Sequence, residues 1–384
     1  MKGHERAGAV LSIAFAACAL VACSHGLQKS EPSARVYNYD QAPPSQALHA
    51  RGGITPEVNF VKMSDGIALR VAKFAPPTGM TPRATLLAVS GTGGTVEDLQ
   101  GLATLLAQQG ILVFGADLRG QGLSGRTDPD PQKINVDPRV HPADMACVIK
   151  KLVAPQQAGP LVILGHSMGG AAVVYGLASG TLVPDAAILL APALGMPGVP
   201  LQGTGANVAN TMTSLISTWL GINTYLPGQD LLQRPFRDPT PQNLLSRNIP
   251  ALRERLDNMQ REPRLRSYGV TWGWFSDNLR MMQALARLSA RSISMPTLLV
   301  EPNDERVVDS AQSRRTCATT FTQCTRKTVD GRHGLTAELP TTVKTLAGYI
   351  RSFIDSLQPP FAPGAPASLR QAGREGPGGQ RGPG

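Results

Sequence analysis

The residues with the clearest chemical signature form the run Gly165-His166-Ser167-Met168-Gly169-Gly170. The run follows an apolar segment at 161–164 and precedes an Ala- and Val-rich stretch, an order that predicts a strand, a tight turn and a helix. Glycines on both sides permit a sharp turn that exposes the serine hydroxyl, and a helix N-terminus stabilises a developing negative charge. We therefore predict that Ser167 is a nucleophile.

A serine hydroxyl needs a general base, and the chain has six histidines. His333 lies in a loop between a short strand-like run and the last helical pattern. In the chain order serine, acid, histidine, the base belongs in such a loop. His166 is expected to point back from the turn, and His141 precedes Pro142 at a helix start, so both are predicted to be structural. We predict that His333 is the base.

The third member of such a triad holds the imidazole in the correct tautomer, and either Asp or Glu can do so. It should follow the strand-like run 297–300, where the sequence continues from Glu301 to Asp309. Local chemistry does not choose between Asp304 and Glu305. Asp309 is predicted to cap the next helix.

Ester or amide chemistry at a serine also needs N–H donors for the oxyanion. One donor is predicted to be the backbone N–H of Met168, directly after the nucleophile. The other is expected in the loop Ser90-Gly91-Thr92-Gly93-Gly94, where glycines let the backbone approach a substrate closely. Thr92 is the predicted donor, with Gly93 as the alternative. The loop lacks the Lys-Ser/Thr pair of a phosphate-binding loop, which argues against a nucleotide site.

The elements around these residues alternate between short apolar runs and helical patterns, starting with a hairpin around Ser64-Asp65-Gly66. This alternation predicts an α/β fold with a mostly parallel sheet flanked by helices. The core is expected at 53–194 and 296–357. Between its two parts, residues 195–295 form a helical, Arg-rich insertion that we predict to be a cap.

The chain begins with Lys2 and Arg6 before an apolar run that ends near Ala22. Residues 1–22 are typical of an export signal, and the following Cys23 resembles the acylated cysteine of bacterial lipoproteins. We expect an exported chain anchored by lipid in the cell envelope, on the outer rather than the inner membrane. Residues 23–52 are predicted to be a flexible tether and 358–384 a Gly/Pro-rich disordered tail. In an oxidising compartment Cys317 and Cys324 could pair, but their spacing leaves this open.

Three stretches carry a family resemblance: 117–126 (DLRGQGLSGR), the turn 165–170 and 305–309 (ERVVD). Over about residues 57–357 the chain resembles the α/β-hydrolase superfamily, nearer to its bacterial lysophospholipase and monoglyceride lipase group. The resemblance implies a serine esterase that acts on lysophospholipids or monoacylglycerols without a metal or organic cofactor. A gapless match places the acid at Glu305, with Asp304 one residue out of register. The group's usual His-Gly at the oxyanion loop is Ser90-Gly91 here.

The resemblance leaves the substrate open, because one fold hosts many activities. A peptidase, a polyester depolymerase and, less favoured, a non-catalytic binding lipoprotein remain alternatives. By the same resemblance, Asp117 and Arg119 organise the loop near the turn rather than do chemistry, and the insertion shapes an acyl pocket. Aromatic residues of the insertion, Trp219, Trp272 and Trp274 among them, are expected to pack the cap onto the core or to contact the acyl chain.

The formal net charge of +10 is unevenly distributed. Residues 195–295 hold eleven arginines, no lysine and six acidic residues, an excess of five positive charges. A nearly neutral core and the expected export argue against nucleic acid as a partner. The basic cap is predicted either to face anionic lipid or to be an ordinary solvated surface.

Overall fold

The computed structural model describes residues 36–42, 45, 47–227, 236–267 and 269–357. The expected signal (1–22), Cys23 and the expected tail (358–384) lie outside these residues, as does part of the expected tether. The predictions for those segments therefore stay predictions.

A central sheet of eight strands organises the described core. In chain order its strands are β1 (Glu57–Lys62), β2 (Ala68–Phe74), β3 (Ala84–Val89), β4 (Ile111–Ala116), β6 (Leu161–His166), β7 (Ala186–Leu190), β9 (Thr297–Pro302) and β10 (Cys324–Val329). Their order across the sheet is β1-β2-β4-β3-β6-β7-β9-β10. The hairpin β1–β2 and the pair β2–β4 are antiparallel, and the remaining pairs are parallel. The predicted mostly parallel sheet is confirmed.

The strands are apolar on both sides because helices cover both faces of the sheet. In β3, Leu87 and Val89 enter one buried cluster, whereas Leu86 and Ala88 enter another on the opposite face. The helices are α1 (Val96–Gln108), α2 (His141–Val148), α3 (Met168–Ala178), α7 (Ser310–Thr319) and α8 (Pro340–Ser356). Helices α1 and α8 contribute to the second cluster, and α2 and α3 to the first. The loops that carry the candidate site residues follow the carboxyl ends of β3, β6, β9 and β10.

Between β7 and β9 the chain leaves the sheet and forms the cap. Its described elements are α4 (Gly203–Leu220), α5 (Ile249–Arg261), the short strand β8 (Gly269–Val270) and α6 (Trp272–Ala286). β8 pairs with β5 (Lys133–Ile134), which ties the cap to the core. Among the described helices, none is both long enough and apolar enough to cross a bilayer.

The two cysteines whose pairing the sequence left open form a disulfide, with their Cα atoms 5.6 Å apart. Cys317 lies in the last turns of α7 and Cys324 begins β10. The bond therefore closes the connection between a helix and the last strand at one edge of the sheet, away from the carboxyl ends of β3 and β6.

Candidate active site

The turn that carries Ser167 is sharp, as its glycine spacing predicts. Ser167 has φ 53° and ψ −122°, a backbone conformation that is costly for a residue with a side chain. A Cβ on Gly169 would lie 2.3 Å from the carbonyl oxygen of Ser90, and one on Gly165 would lie 2.6 Å from that of Gly169. Only glycine fits at these two positions, and their closeness allows β6 to turn directly into α3.

Ser167, His333 and Glu305 form one hydrogen-bonded line. The Ser167 hydroxyl donates to Nε2 of His333 over 2.8 Å. Nδ1 of His333 donates to Glu305, at 2.9 Å from Oε2 and 3.1 Å from Oε1. Because a carboxylate only accepts, this contact fixes the proton on Nδ1 and leaves Nε2 as an acceptor for the serine.

Glu305 is held as an ion on the side of the imidazole away from Ser167. Its Oε1 also accepts the N–H groups of Val307 (2.7 Å) and Val308 (3.2 Å). Burial raises the pKa of this carboxyl, but the hydrogen bonds to His333 and to the two backbone N–H groups outweigh burial and lower the pKa below its ordinary value.

Asp304, the alternative acid, points elsewhere. Its carboxylate binds Arg306 at 2.6 and 3.1 Å and Arg332 at 3.2 Å. Hydrogen bonding to Arg306 lowers its pKa from the ordinary value. The structure thus brings Glu305, not Asp304, to His333.

His166 supports the base from behind. Its Nε2 donates to the carbonyl oxygen of His333 over 2.8 Å, and the two rings lie 5.0 Å apart. Burial, followed by the neighbouring His333, lowers the pKa of His166 to about 3. The imidazole is therefore neutral near pH 7, and it bonds the backbone of His333 rather than the Ser167 hydroxyl.

The loop Ser90–Gly94, called the oxyanion loop after its predicted role, lies against Ser167. A Cβ on Gly91 would meet Cβ of Ser167 at 2.6 Å, so the loop's backbone touches the serine. Gly93 N–H donates to the side-chain oxygen of Gln121. Within the described residues, no acceptor takes the N–H of Thr92 or Met168. Of the donors predicted from the sequence, Met168 and Thr92 thus have no acceptor among the described residues, whereas the N–H of Gly93 is bound to Gln121.

Asp117 and Arg119 hold neighbouring elements together through hydrogen bonds. Asp117 accepts from Arg70 (2.7 Å) and from the N–H of Val96 (2.8 Å), the first residue of α1. Arg119 binds Asp144 with two hydrogen bonds of 2.7 and 2.8 Å. Asp117 therefore holds the start of α1, and Arg119 holds α2 through Asp144. The role that the family resemblance implies for them stays a prediction.

A cavity of about 270 Å³ contains the site. Ser167, His333 and the oxyanion loop form one part of its wall, and the cap forms another. Its large apolar lining residues are Phe236, Leu245, Leu252, Leu256, Met259, Trp274 and Val307. In the described part of the chain, His, Cys, Asp and Glu do not gather into a group that could hold a metal ion.

The aromatic residues of the cap have different positions. Trp274 is buried and lines the cavity, within reach of an acyl chain. Trp219, at the end of α4, is 91% exposed. The expectation that the cap's aromatics pack onto the core or contact substrate is therefore wrong for Trp219.

Two residues contact the site although no sequence motif predicts them there. Gln121 lies inside the run that carries the family resemblance, but its contact with Gly93 joins residues 28 apart. Arg255 of α5 donates to the carbonyl oxygen of Gly93 (2.9 Å) across 162 positions of sequence. Neither contact follows from local spacing.

The sequence matches the profile of the family described as serine aminopeptidase, S33, over residues 80–340. It is 31% identical over 220 residues to lysophospholipase L2 of Escherichia coli strain K12. That match covers 56% of this chain and 62% of the relative, so the chain spans less than two thirds of the relative's length.

Solved structures with the same fold cover most of the chain. A soluble variant of monoglyceride lipase from Saccharomyces cerevisiae superposes with a TM-score of 0.61 at 16% identity, over 82% of this chain and 99% of that one. The monoacylglycerol lipase of Paleococcus ferrophilus gives 0.58 at 20% identity, over 76% and 99%. At these identities the likeness establishes the α/β-hydrolase fold.

Proposed function

The chain belongs to the hydrolase family described as serine aminopeptidase, S33, and we propose that it cleaves carboxylic esters of lipids, with lysophospholipids or monoacylglycerols as substrates. The observation that carries the proposal is the hydrogen-bonded line Ser167–His333–Glu305 at the wall of an apolar cavity. The 31% identity to a lysophospholipase supports the substrate class.

The proposed reaction proceeds through an acyl-enzyme. Ser167 Oγ attacks the ester carbonyl while Nε2 of His333 takes the hydroxyl proton, and the imidazolium then gives that proton to the leaving alcohol. Glu305 holds the ring and stabilises its charged form. A water molecule, deprotonated by His333, then attacks the acyl-serine; the bond between the acyl carbon and Ser167 Oγ breaks, the imidazolium returns its proton to Oγ, and the fatty acid is released.

The negative oxygen of each tetrahedral intermediate needs preorganised donors. We assign this role to the backbone N–H groups of Met168 and Thr92. Met168 N–H lies at the N-terminus of α3, where the helix dipole favours negative charge. Gly93 is not assigned, because its N–H is occupied by Gln121.

An aminopeptidase, which the family's description names, is the second candidate function. A carboxylate without another partner would be the strongest ligand for a free α-amino group in the cavity. Among the described residues that line it, the acidic side chain is Asp98, and Arg255 already pairs with it at 3.2 Å. The apolar remainder of the wall favours an acyl chain.

A substrate panel distinguishes the two activities. Lysophosphatidylcholine, 1-monoacylglycerol and an aminoacyl amide are offered at equal concentration, and released fatty acid or amine is measured. We expect turnover of one or both lipid esters and none of the amide. Turnover of the amide alone would overturn the ester proposal in favour of the peptidase.

We also propose that a lipid surface is the partner of the cap. Helix α4 contains no charged residue and presents an apolar stripe formed by Val208, Met212, Leu215 and Trp219, each more than half exposed. Their spacing of four, three and four residues places them on one helix face. The positive charge of the surrounding cap complements anionic lipid, and an exposed tryptophan suits the interface between water and lipid.

The proposed location rests on the sequence before the described residues. We propose that the chain is exported, acylated on Cys23 and anchored in the cell envelope, with the outer membrane favoured. Incorporation of radiolabelled palmitate tests this in the producing bacterium: the natural chain is expected to be labelled, and Cys23→Ser is not. Equal labelling of both would contradict the assignment.

A further inference from the structure

Arg255 joins the cap to the oxyanion loop. It lies in the middle of α5, and its Nη2 donates to the carbonyl oxygen of Gly93 over 2.9 Å. The N–H of the same Gly93 donates to Gln121 of the core. The backbone on both sides of Gly93 is therefore held, once from the core and once from the cap. The residue directly before it is Thr92.

The same guanidinium also holds the start of α1, into which the loop runs. Its Nε lies 3.2 Å from Oδ1 of Asp98, and the two side chains are 22% and 17% exposed. The other oxygen of Asp98 accepts the N–H of Thr95 over 3.0 Å and so caps α1. Salt screens an ion pair with this little exposure only weakly. One cap residue thus restrains both ends of the segment from Gly93 to Asp98.

Arg255 and Asp98 stand between two cavities. Both line the active-site cavity, and both also line a second one of about 400 Å³ between α5 and α1. Removing the guanidinium would open space between the two cavities. The loop would then lose a hydrogen-bond donor, and water could enter where the side chain now packs.

We propose that Arg255 is a positioning residue for ester hydrolysis, which fixes the oxyanion loop so that the N–H of Thr92 meets the developing oxyanion. The inference rests on the proposed function. A donor in such a site contributes to rate because it is already oriented before the reaction. Full activity would then depend on how α5 packs against the core. The cap would position the oxyanion loop in addition to lining the acyl pocket.

The kinetic test compares Arg255→Ala, Arg255→Lys and the control Arg253→Ala on a short, soluble p-nitrophenyl ester. Arg253 is an exposed arginine of the same helix, so its loss removes the same charge without touching the loop. Direct loss of an oxyanion donor costs roughly 10²–10³ in kcat, and we expect Arg255→Ala, which acts through the loop, to lower kcat by roughly 10- to 100-fold. KM should change less than about threefold, because the short ester's ground-state contacts remain.

Arg255→Lys separates charge from geometry. A lysine keeps a positive charge near Asp98 but lacks the planar guanidinium that lies beside Asp98 and donates to the Gly93 carbonyl oxygen at the same time. We expect its kcat to lie between those of the natural protein and Arg255→Ala. A merely structural role would lower the melting temperature and leave kcat at 25 °C unchanged. Asp98→Asn, which keeps an oxygen for the Thr95 N–H, provides a second variant in case Arg255→Ala does not fold, and it should also lower kcat.

Inhibition by an alkyl trifluoromethyl ketone is the decisive measurement. The ketone forms an adduct with the serine whose negative oxygen would accept from the same N–H groups, those of Met168 and Thr92. The inhibition constant is expected to rise in Arg255→Ala by about the factor by which kcat falls. Equal kcat and inhibition constants in Arg255→Ala and Arg253→Ala, or a raised KM with unchanged kcat, would overturn the inference. Either result leaves the proposed function intact, whereas natural protein that hydrolyses no ester would overturn the function itself.

Discussion

At the residue scale, Asp304 and Glu305 have similar chemistry and different neighbours. Glu305 faces His333 and two backbone N–H groups, whereas Asp304 faces Arg306 and Arg332. One position along the chain therefore separates a carboxylate that accepts from the His333 imidazole from one that pairs with arginines near the surface.

The acid is tested by Glu305→Gln against the matched control Asp304→Asn. An amide at position 305 can offer its N–H₂ to His333 and favour the wrong tautomer, so kcat should fall by roughly 10³–10⁴. Asp304→Asn should stay within about threefold, because its partners do not touch the base. Initial rates on a p-nitrophenyl ester measure both. A larger loss in Asp304→Asn would reverse the assignment.

His141 predicts a pH dependence of stability that is independent of catalysis. Burial, followed by the charge of Arg119, lowers the pKa of His141 to about 3, against about 6.5 in the unfolded chain. The unfolded state therefore binds a proton first, and stability is lost as pH falls from 6.5 toward 3. Between pH 6.5 and 4.5, protonation of this histidine in the unfolded chain lowers the free energy of unfolding by about 2 kcal/mol.

In His141→Gln that loss should disappear, so the free energy of unfolding should fall about 2 kcal/mol less between pH 6.5 and 4.5 than in the natural protein. Urea unfolding at the two pH values measures the difference. His49→Gln, at an exposed histidine, controls for the removal of one imidazole. An unchanged pH dependence in His141→Gln would contradict the buried, neutral state.

At the element scale, the glycine of the strand-to-helix turn is sterically required, whereas a glycine on a surface helix is not. Gly169→Ala would place a methyl 2.3 Å from the Ser90 carbonyl oxygen and push the oxyanion loop away from Ser167. We expect kcat to fall at least about 100-fold and stability to fall by about 1–3 kcal/mol. Kinetics and urea unfolding measure the two losses.

Gly348→Ala is the matched control, because a Cβ there meets no atom within 4 Å. Gly348 lies inside α8, where alanine is the better helix former, so this variant should gain about 0.5–1 kcal/mol at unchanged kcat. Similar behaviour of the two variants would show that the turn is not sterically restricted at Gly169.

The sequence predicted those elements whose structure depends on residues that are neighbours along the chain. The apolar run before Gly165 and the glycines around Ser167 predicted β6, the turn and α3, because strand, turn and helix each depend on neighbouring residues. The choice between Asp304 and Glu305 could not be made from the residues alone, since it depends on side-chain direction. The contacts of Arg255 and Gln121 with Gly93 could not be predicted either, because only the folded chain brings these residues together.

At the scale of the whole molecule, charge and exposed apolar surface meet on the cap. The cap carries five excess positive charges in sequence, and α4 adds the apolar stripe. The sequence predicted the basic character. It did not predict the exposure of the stripe, because the spacing of Val208, Met212, Leu215 and Trp219 is equally typical of a buried helix face.

Vesicle sedimentation tests the stripe, with Cys23→Ser as the background so that no lipid anchor contributes. Adding Leu215→Ser and Trp219→Ser should weaken binding to vesicles rich in anionic lipid at least about tenfold, since each side chain loses apolar burial. High salt should weaken binding of the background chain. Val183→Ser, at a 60% exposed valine outside the cap, is the control.

Two results would contradict this use of the stripe. One is an equal loss of vesicle binding in Val183→Ser. The other is a dimer of the background chain that Leu215→Ser and Trp219→Ser dissociate, which would make the stripe a contact between copies of the chain.

The central claim is that Ser167 attacks a lipid ester, and fatty acid release from lysophosphatidylcholine tests it most directly. Natural protein and Ser167→Ala are compared at equal concentration, with folding checked by circular dichroism. The account predicts steady release by the natural protein and a rate at least about 10⁴-fold lower in Ser167→Ala. Release by Ser167→Ala within tenfold of the natural rate would contradict it.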